Sequence, residues 1–110
     1  MLNREYLYED RPMEGMAKPD RSIGLVIESA GCKMFGKLAM PAVKNENDRT
    51  PLLLLLHGHP GNDRNLDLMF SLCRAGIAVA YFSYRGIWGS HGEYAYSHLI
   101  EDAQAAFAHL

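Results

Sequence analysis

The 110-residue sequence carries little that would take it into a membrane, onto a nucleic acid or into an oxidising compartment. Its leucine run, Leu52 to Leu56, is far shorter than the roughly 20 apolar residues that cross a bilayer. Met1-Leu2-Asn3-Arg4-Glu5 opens on charge where a secretory leader would turn apolar, so a cytoplasmic address is expected. Eleven basic against thirteen acidic residues give a formal charge of −2, which offers no cationic footprint for a phosphate backbone or an anionic lipid surface. The two cysteines, Cys32 and Cys73, lie in different segments without CxxC spacing, so small buried thiols are expected in place of a disulfide or a metal knuckle. No repeat or low-complexity tract interrupts the chain, and its length allows one domain or part of one.

What stands out is Leu52 to Leu56 followed at once by His57-Gly58-His59-Pro60-Gly61. Five leucines leave no alternation for a solvated face. Pro51 before them and Gly58, Pro60 and Gly61 after them are too close together for a buried helix, so the run predicts a strand buried on both sides, as in a parallel α/β sheet. Ligands of such sheets sit in the loops at the carboxyl ends of the strands.

The flanking segments fit an α/β protein. Residues 1–21, with Pro12, Gly15 and Pro19 spaced through them, read as an irregular arm ahead of a domain spanning 22–110. Alternating Ile23, Leu25 and Ile27, a turn at Ala30-Gly31, and then Met34, Leu38 and Met40 predict a β-hairpin. Beyond the leucine strand, Asn62 or Asp63 is positioned to cap a helix in which Leu66, Met69, Phe70 and Cys73 share a face and which Gly76 ends. Ile77 to Tyr84 predicts a second inner strand, completing a βαβ unit. After a turn rich in glycine (Gly86, Gly89, Gly92), Ser97 is placed to cap a last helix with Ile100, Ala103, Phe107 and Leu110 on one face and Glu101 and Asp102 near its N-terminal dipole.

Three local motifs, in order, resemble the first half of the α/β-hydrolase fold. His57-Gly58-His59-Pro60-Gly61 is similar to the HG-x-P-G turn after the third strand, and Tyr84 to Tyr94 (Tyr-Arg-Gly-Ile-Trp-Gly-Ser-His-Gly-Glu-Tyr) to the loop after the fourth strand in serine hydrolases of the prolyl-oligopeptidase and acylaminoacyl-peptidase type. Leu99 to Ala106 is similar to the helix that precedes the nucleophile. The resemblance covers about residues 22–110 and implies an incomplete α/β-hydrolase fold. That fold would be a β-hairpin followed by a parallel βαβα unit, lacking the nucleophile-elbow strand and everything after it.

In that family one oxyanion donor comes from the loop after the third strand, so the resemblance assigns the backbone N–H of His59 to this role. The side chains of His57 and His59 are expected only to pack and bond within their turn. A G-x-S-x-G elbow is absent, as are an acid and a histidine in the required order. Trp88-Gly89-Ser90-His91-Gly92 comes nearest, but Trp88 stands where the first glycine belongs and Ser90 lies well beyond the strand end. Arg85 is expected to brace its turn and Trp88 to pack.

The implied parent activity is hydrolysis of an ester or peptide bond through a serine acyl-enzyme, without cofactor, and with the isolated chain inactive. A metal-dependent hydrolase using His57, His59 and Asp63 is a second reading, although His91, His98 and His109 are too scattered to form another ligand cluster. A third is a truncated chain or subunit that self-associates or is completed by a complementary C-terminal polypeptide, because the fourth strand would otherwise leave a hydrophobic edge unpaired.

Overall fold

The computed structural model describes residues 3–9, 14–16, 20–45, 47–56, 66–87 and 90–110. Strand β1 (Arg21–Ser29) folds back on β2 (Cys32–Met40) in register from Ser29 opposite Cys32 to Arg21 opposite Met40. The two-residue loop between them has Ala30 at φ 51° and Gly31 at φ 78°. Two successive positive φ values match the right-handed twist of the strands and make the tight hairpin predicted from the sequence.

Strand β3 (Leu52–Leu55), helix α1 (Leu66–Arg74) and strand β4 (Ala78–Phe82) form the βαβ unit. Helix α2 (Leu99–His109) closes the chain after a short 3-10 turn, Tyr96–His98. The strands make one mixed sheet in the order β1-β2-β4-β3, with β4 antiparallel to β2 and parallel to β3.

That order corrects the expectation about the leucines. β3 is an edge strand, so Leu52, Leu53 and Leu56 are exposed and Leu54 and Leu55 only half-buried. The inner strand is β4, bonded on both sides and buried at Ala78, Val79, Ala80 and Phe82. Among the described residues, the unpaired edge expected at β4 therefore lies at β3. At Gly36, opposite Phe82, the β2 and β4 backbones approach so closely that a Cβ would strike the carbonyl oxygen of Tyr81 and come within 2.8 Å of the Phe82 Cα.

One helix covers each face of the sheet. On one face Met69 and Cys73 of α1 pack on Ala39 and Val79, with Leu55, Leu72, Ile77 and Tyr81 around them. Leu66 and Phe70, expected on the same buried face, are exposed on its flank. On the other face Ala106 of α2 packs with Leu25, Ile27, Met34, Ala80, Phe82 and Tyr84. Fully buried side chains such as Phe82, Ile27 and Met34 each contribute about 1.5–3 kcal/mol of apolar transfer.

Helix α2 is rotated from its predicted orientation. Asp102 and Ala106 face inward, while Ile100 and Phe107 are 74% and 76% exposed. The cause is polar, since Asp102 turns toward two partners in the sheet and its loop, and small Ala106 lets the helix come close. His98, with helical backbone and no side-chain capping bond, holds the N-cap position expected of Ser97, because the 3-10 turn runs straight into the helix.

Within residues 1–21, Arg4–Leu7 forms a 3-10 turn capped by the Asn3 side chain, which accepts from the Glu5 N–H. The Asn3 N–H donates to the Ala75 carbonyl at 2.8 Å. Arg74 donates from Nε to the Tyr6 carbonyl and from Nη2 to the Leu7 carbonyl.

Candidate functional site

Because β3 and β4 are parallel, the chain leaves both at the same end of the sheet. The turn carrying His57 and His59, the candidate caps Asn62 and Asp63, and Trp88 lie outside the described residues. What the structure describes at this end is Leu56 on one side and the loop after β4, residues 83–87 and 90–95, on the other.

That loop is held by bonds to the start of β2. The Ser83 N–H donates to the Phe35 carbonyl at 2.9 Å, and the His91 N–H to the Lys33 carbonyl at 2.7 Å. The Gly86 N–H donates to the His91 carbonyl, drawing the two arms of the loop together. At Gly86, with φ 79°, a Cβ would run into the Tyr94 N–H, so the crossing tolerates only glycine. The His91 ring meets Phe35 edge-on, with centroids 5.5 Å apart.

Ser90 is buried and fully engaged as a brace. Its hydroxyl donates to the Ser83 carbonyl at 2.8 Å and accepts from the Phe35 N–H at 3.1 Å. A serine so placed pins the loop to β2 and has no bond to an imidazole among the described residues, in line with its poor match to a nucleophile elbow.

Arg85 and Asp102 form a buried ionic brace. The fully buried Asp102 carboxylate accepts from the Arg85 Nε–H at 2.7 Å, the Arg85 backbone N–H at 3.1 Å and the Ser29 hydroxyl at 2.8 Å. Arg85 Nη2 also reaches the exposed Glu101 at 2.6 Å. Three donors satisfy most of the carboxylate's bonding capacity, which is how an ion survives in a core. Together they tie the end of β1, the loop after β4 and the first turn of α2 into one unit. The turn-bracing role expected of Arg85 is thus present, and its partner Asp102 was missed.

Beside this pair, burial and the Asp102 carboxylate push the Tyr84 phenol above its ordinary value of 10.0. Cys32 is half-buried and Cys73 buried, and neither is part of a disulfide. Among the described residues no group of three or more His, Cys, Asp or Glu side chains is placed to hold a metal ion. None of the described helices is long and apolar enough to cross a membrane. A groove of about 380 Å³ lined by Arg21, Ala39, Phe70, Cys73 and Arg74 lies at the other end of α1, away from these loops.

No protein-family model and no curated protein sequence matches the chain. Among solved structures, XC6422 of Xanthomonas campestris, described as an α/β serine hydrolase without a lid, is similar with a TM-score of 0.56 at 17% identity. The match covers 81% of this chain, which spans 44% of the length of that one. The fold is therefore part of the α/β-hydrolase fold, with its mixed sheet and a helix on each face.

Proposed function

We propose that this chain is the N-terminal portion of a serine-type hydrolase domain that cleaves an ester or peptide bond, its His59 backbone N–H serving as one oxyanion donor. The observation that carries the reading is the strand order β1-β2-β4-β3, in which the exits of β3 and β4 share one end of a hydrolase-like sheet. The braces on Ser90 and Arg85 support it by making the second of those exits rigid, as a preorganised site requires. The nucleophile, acid and base belong to further sequence, either continuous with this chain or supplied as a complementary C-terminal polypeptide.

Two experiments test this. The 110-residue chain should show no turnover of p-nitrophenyl acetate or an aminoacyl-nitroanilide, with Ser90→Ala assayed in parallel. Turnover lost in Ser90→Ala would make Ser90 the nucleophile and overturn the reading. In a protein joined to a second half bearing the serine, acid and histidine, His59→Ala keeps the amide and most of the rate. His59→Pro removes the donor and should lower kcat by roughly 10²–10³, provided circular dichroism shows a native fold. Loss of activity in well-folded His59→Ala, or full activity in His59→Pro, would remove the oxyanion role.

A further inference from the structure

The groove beside α1 lies at the pole of the molecule remote from the exits of β3 and β4. It opens between the second half of the helix and the paired residues Ser22 of β1 and Ala39 of β2, where Ala39 also meets Val79 near the start of β4. Its volume of about 380 Å³ belongs to the small end of the range for ligand pockets. Buried Ala39 and Cys73 form the floor, and Phe70, 42% exposed, offers a ring as one wall.

The rim is charged, and unevenly so. Arg21 and Arg74 stand there against the single carboxylate of Asp20. Asp20 is drawn toward the backbone, its Oδ1 accepting from the Ala42 N–H at 2.7 Å. Arg74 donates to the Tyr6 and Leu7 carbonyls and to the Ser71 hydroxyl, all neutral acceptors, so its guanidinium is held in place with its charge uncancelled. Arg21 is exposed and takes part in no ion pair among the described residues. A positive rim over an apolar floor is complementary to a molecule with a negative head and an apolar body.

We propose that this groove binds a small organic monocarboxylate, with its head on the Arg21 guanidinium and the Ser22 hydroxyl. The hydrocarbon part lies between the Phe70 ring and the floor of Ala39 and Cys73. Arg21 has no ionic partner to surrender, and its planar fork takes both oxygens of a carboxylate at once. The fixed charge of Arg74 adds attraction from the other side of the rim. Inorganic phosphate shares the charge but has nothing to lay against Phe70. The groove is separate from the hydrolytic centre proposed above, and binding here requires none of the chemistry assigned there.

Titration of the isotope-labelled 110-residue chain with 3-phenylpropionate, followed by amide ¹H and ¹⁵N shifts, is the test. A probe of about eleven heavy atoms in an open groove gives a dissociation constant on the order of 1 mM. The shifts should saturate and centre on Arg21, Ser22, Ala39, Phe70 and Cys73. Arg21→Gln should weaken binding about tenfold, as should exchange of the probe for neutral 3-phenylpropionamide. Phosphate should also bind roughly tenfold more weakly than the acid, for want of apolar contact. Lys33→Gln, the same loss of charge at the far end of β2, should leave the affinity unchanged. If Arg21→Gln disturbs the spectrum of the free chain, the comparison of acid with amide on the unmodified chain decides. Shifts that centre elsewhere or fail to saturate would overturn the proposal. So would equal binding of the acid and its amide or of the acid and phosphate, undiminished affinity in well-folded Arg21→Gln, or an equal loss in Lys33→Gln.

Discussion

Asp102→Asn keeps the shape of a side chain and removes the charge around which three parts of the fold are gathered. The carboxylate accepts from the Ser29 hydroxyl, the Arg85 backbone N–H and the Arg85 Nε–H. An asparagine has one acceptor oxygen, and its NH₂ would point at a donor where the second carboxylate oxygen now accepts. The Arg85 side chain, 6% exposed, would keep Glu101 as its one ionic partner among the described residues, a carboxylate 60% in solvent and screened accordingly. Removing one member of a buried pair strands the other, at a cost of about 3–5 kcal/mol. Against the total of about 5–15 kcal/mol typical of native domains, that is a large share.

Urea titration followed by circular dichroism, at one fixed protein concentration, should show the midpoint falling by roughly 2 M for a slope near 2 kcal/mol/M. Arg85→Met added to Asp102→Asn removes the stranded cation and should recover part of the loss, a coupling of about 0.5–3 kcal/mol. A cost under about 1 kcal/mol for Asp102→Asn, or strict additivity in the double variant, would refute the view that this pair holds the loop.

Other perturbations have definite signs. Ser90→Ala leaves the Phe35 N–H and the Ser83 carbonyl without their partner and should cost about 1–3 kcal/mol in the same titration; no change would remove the brace. Ala30 holds a left-handed backbone at φ 51°, so Ala30→Gly should raise stability by up to about 1 kcal/mol, and a loss would mean the turn differs in solution. Gly36→Ala forces a Cβ onto the β4 backbone and should destabilise by more than about 2 kcal/mol, with faster amide exchange in residues 78–82; a neutral outcome would contradict the β2–β4 register. The raised Tyr84 phenol means that the fold favours its protonated form, so its contribution is complete below pH 10 and disappears as pH rises through the folded value. Tyr84→Phe should therefore flatten the loss of urea stability above pH 10, and an unchanged alkaline slope would contradict this.

The elements legible in the sequence are those set by local pattern. Alternation in Ile23 to Ile27, with Ala30-Gly31 after it, was enough for the hairpin, and the leucines and Ile77 to Tyr84 were recognisable as strands. What stayed hidden depends on neighbours distant in sequence. Composition makes Leu52 to Leu56 suitable for an inner strand, but only the sheet order decides that β3 lies at the edge. Periodicity weights large Ile100 and Phe107, whereas the orientation of α2 is decided by the ion pair of Asp102 with Arg85 and its bond to Ser29, 73 residues away. One trace was visible beforehand: an aspartate between Leu99 and Ala106 on the inward face of a helix needs a cation or donors to meet it.

The anchoring of the N-terminal 3-10 turn has a practical side. Asn3 is bound to Ala75, and Tyr6 and Leu7 to Arg74, where α1 ends and the chain turns toward the start of β4. An affinity handle or fluorophore attached ahead of Asn3 would thus project from the pole of the molecule remote from the exits of β3 and β4. Labelling there leaves those exits open, whereas trimming the chain through Leu7 would strip the Arg74 guanidinium of two carbonyl acceptors and bare the last turn of α1 to water.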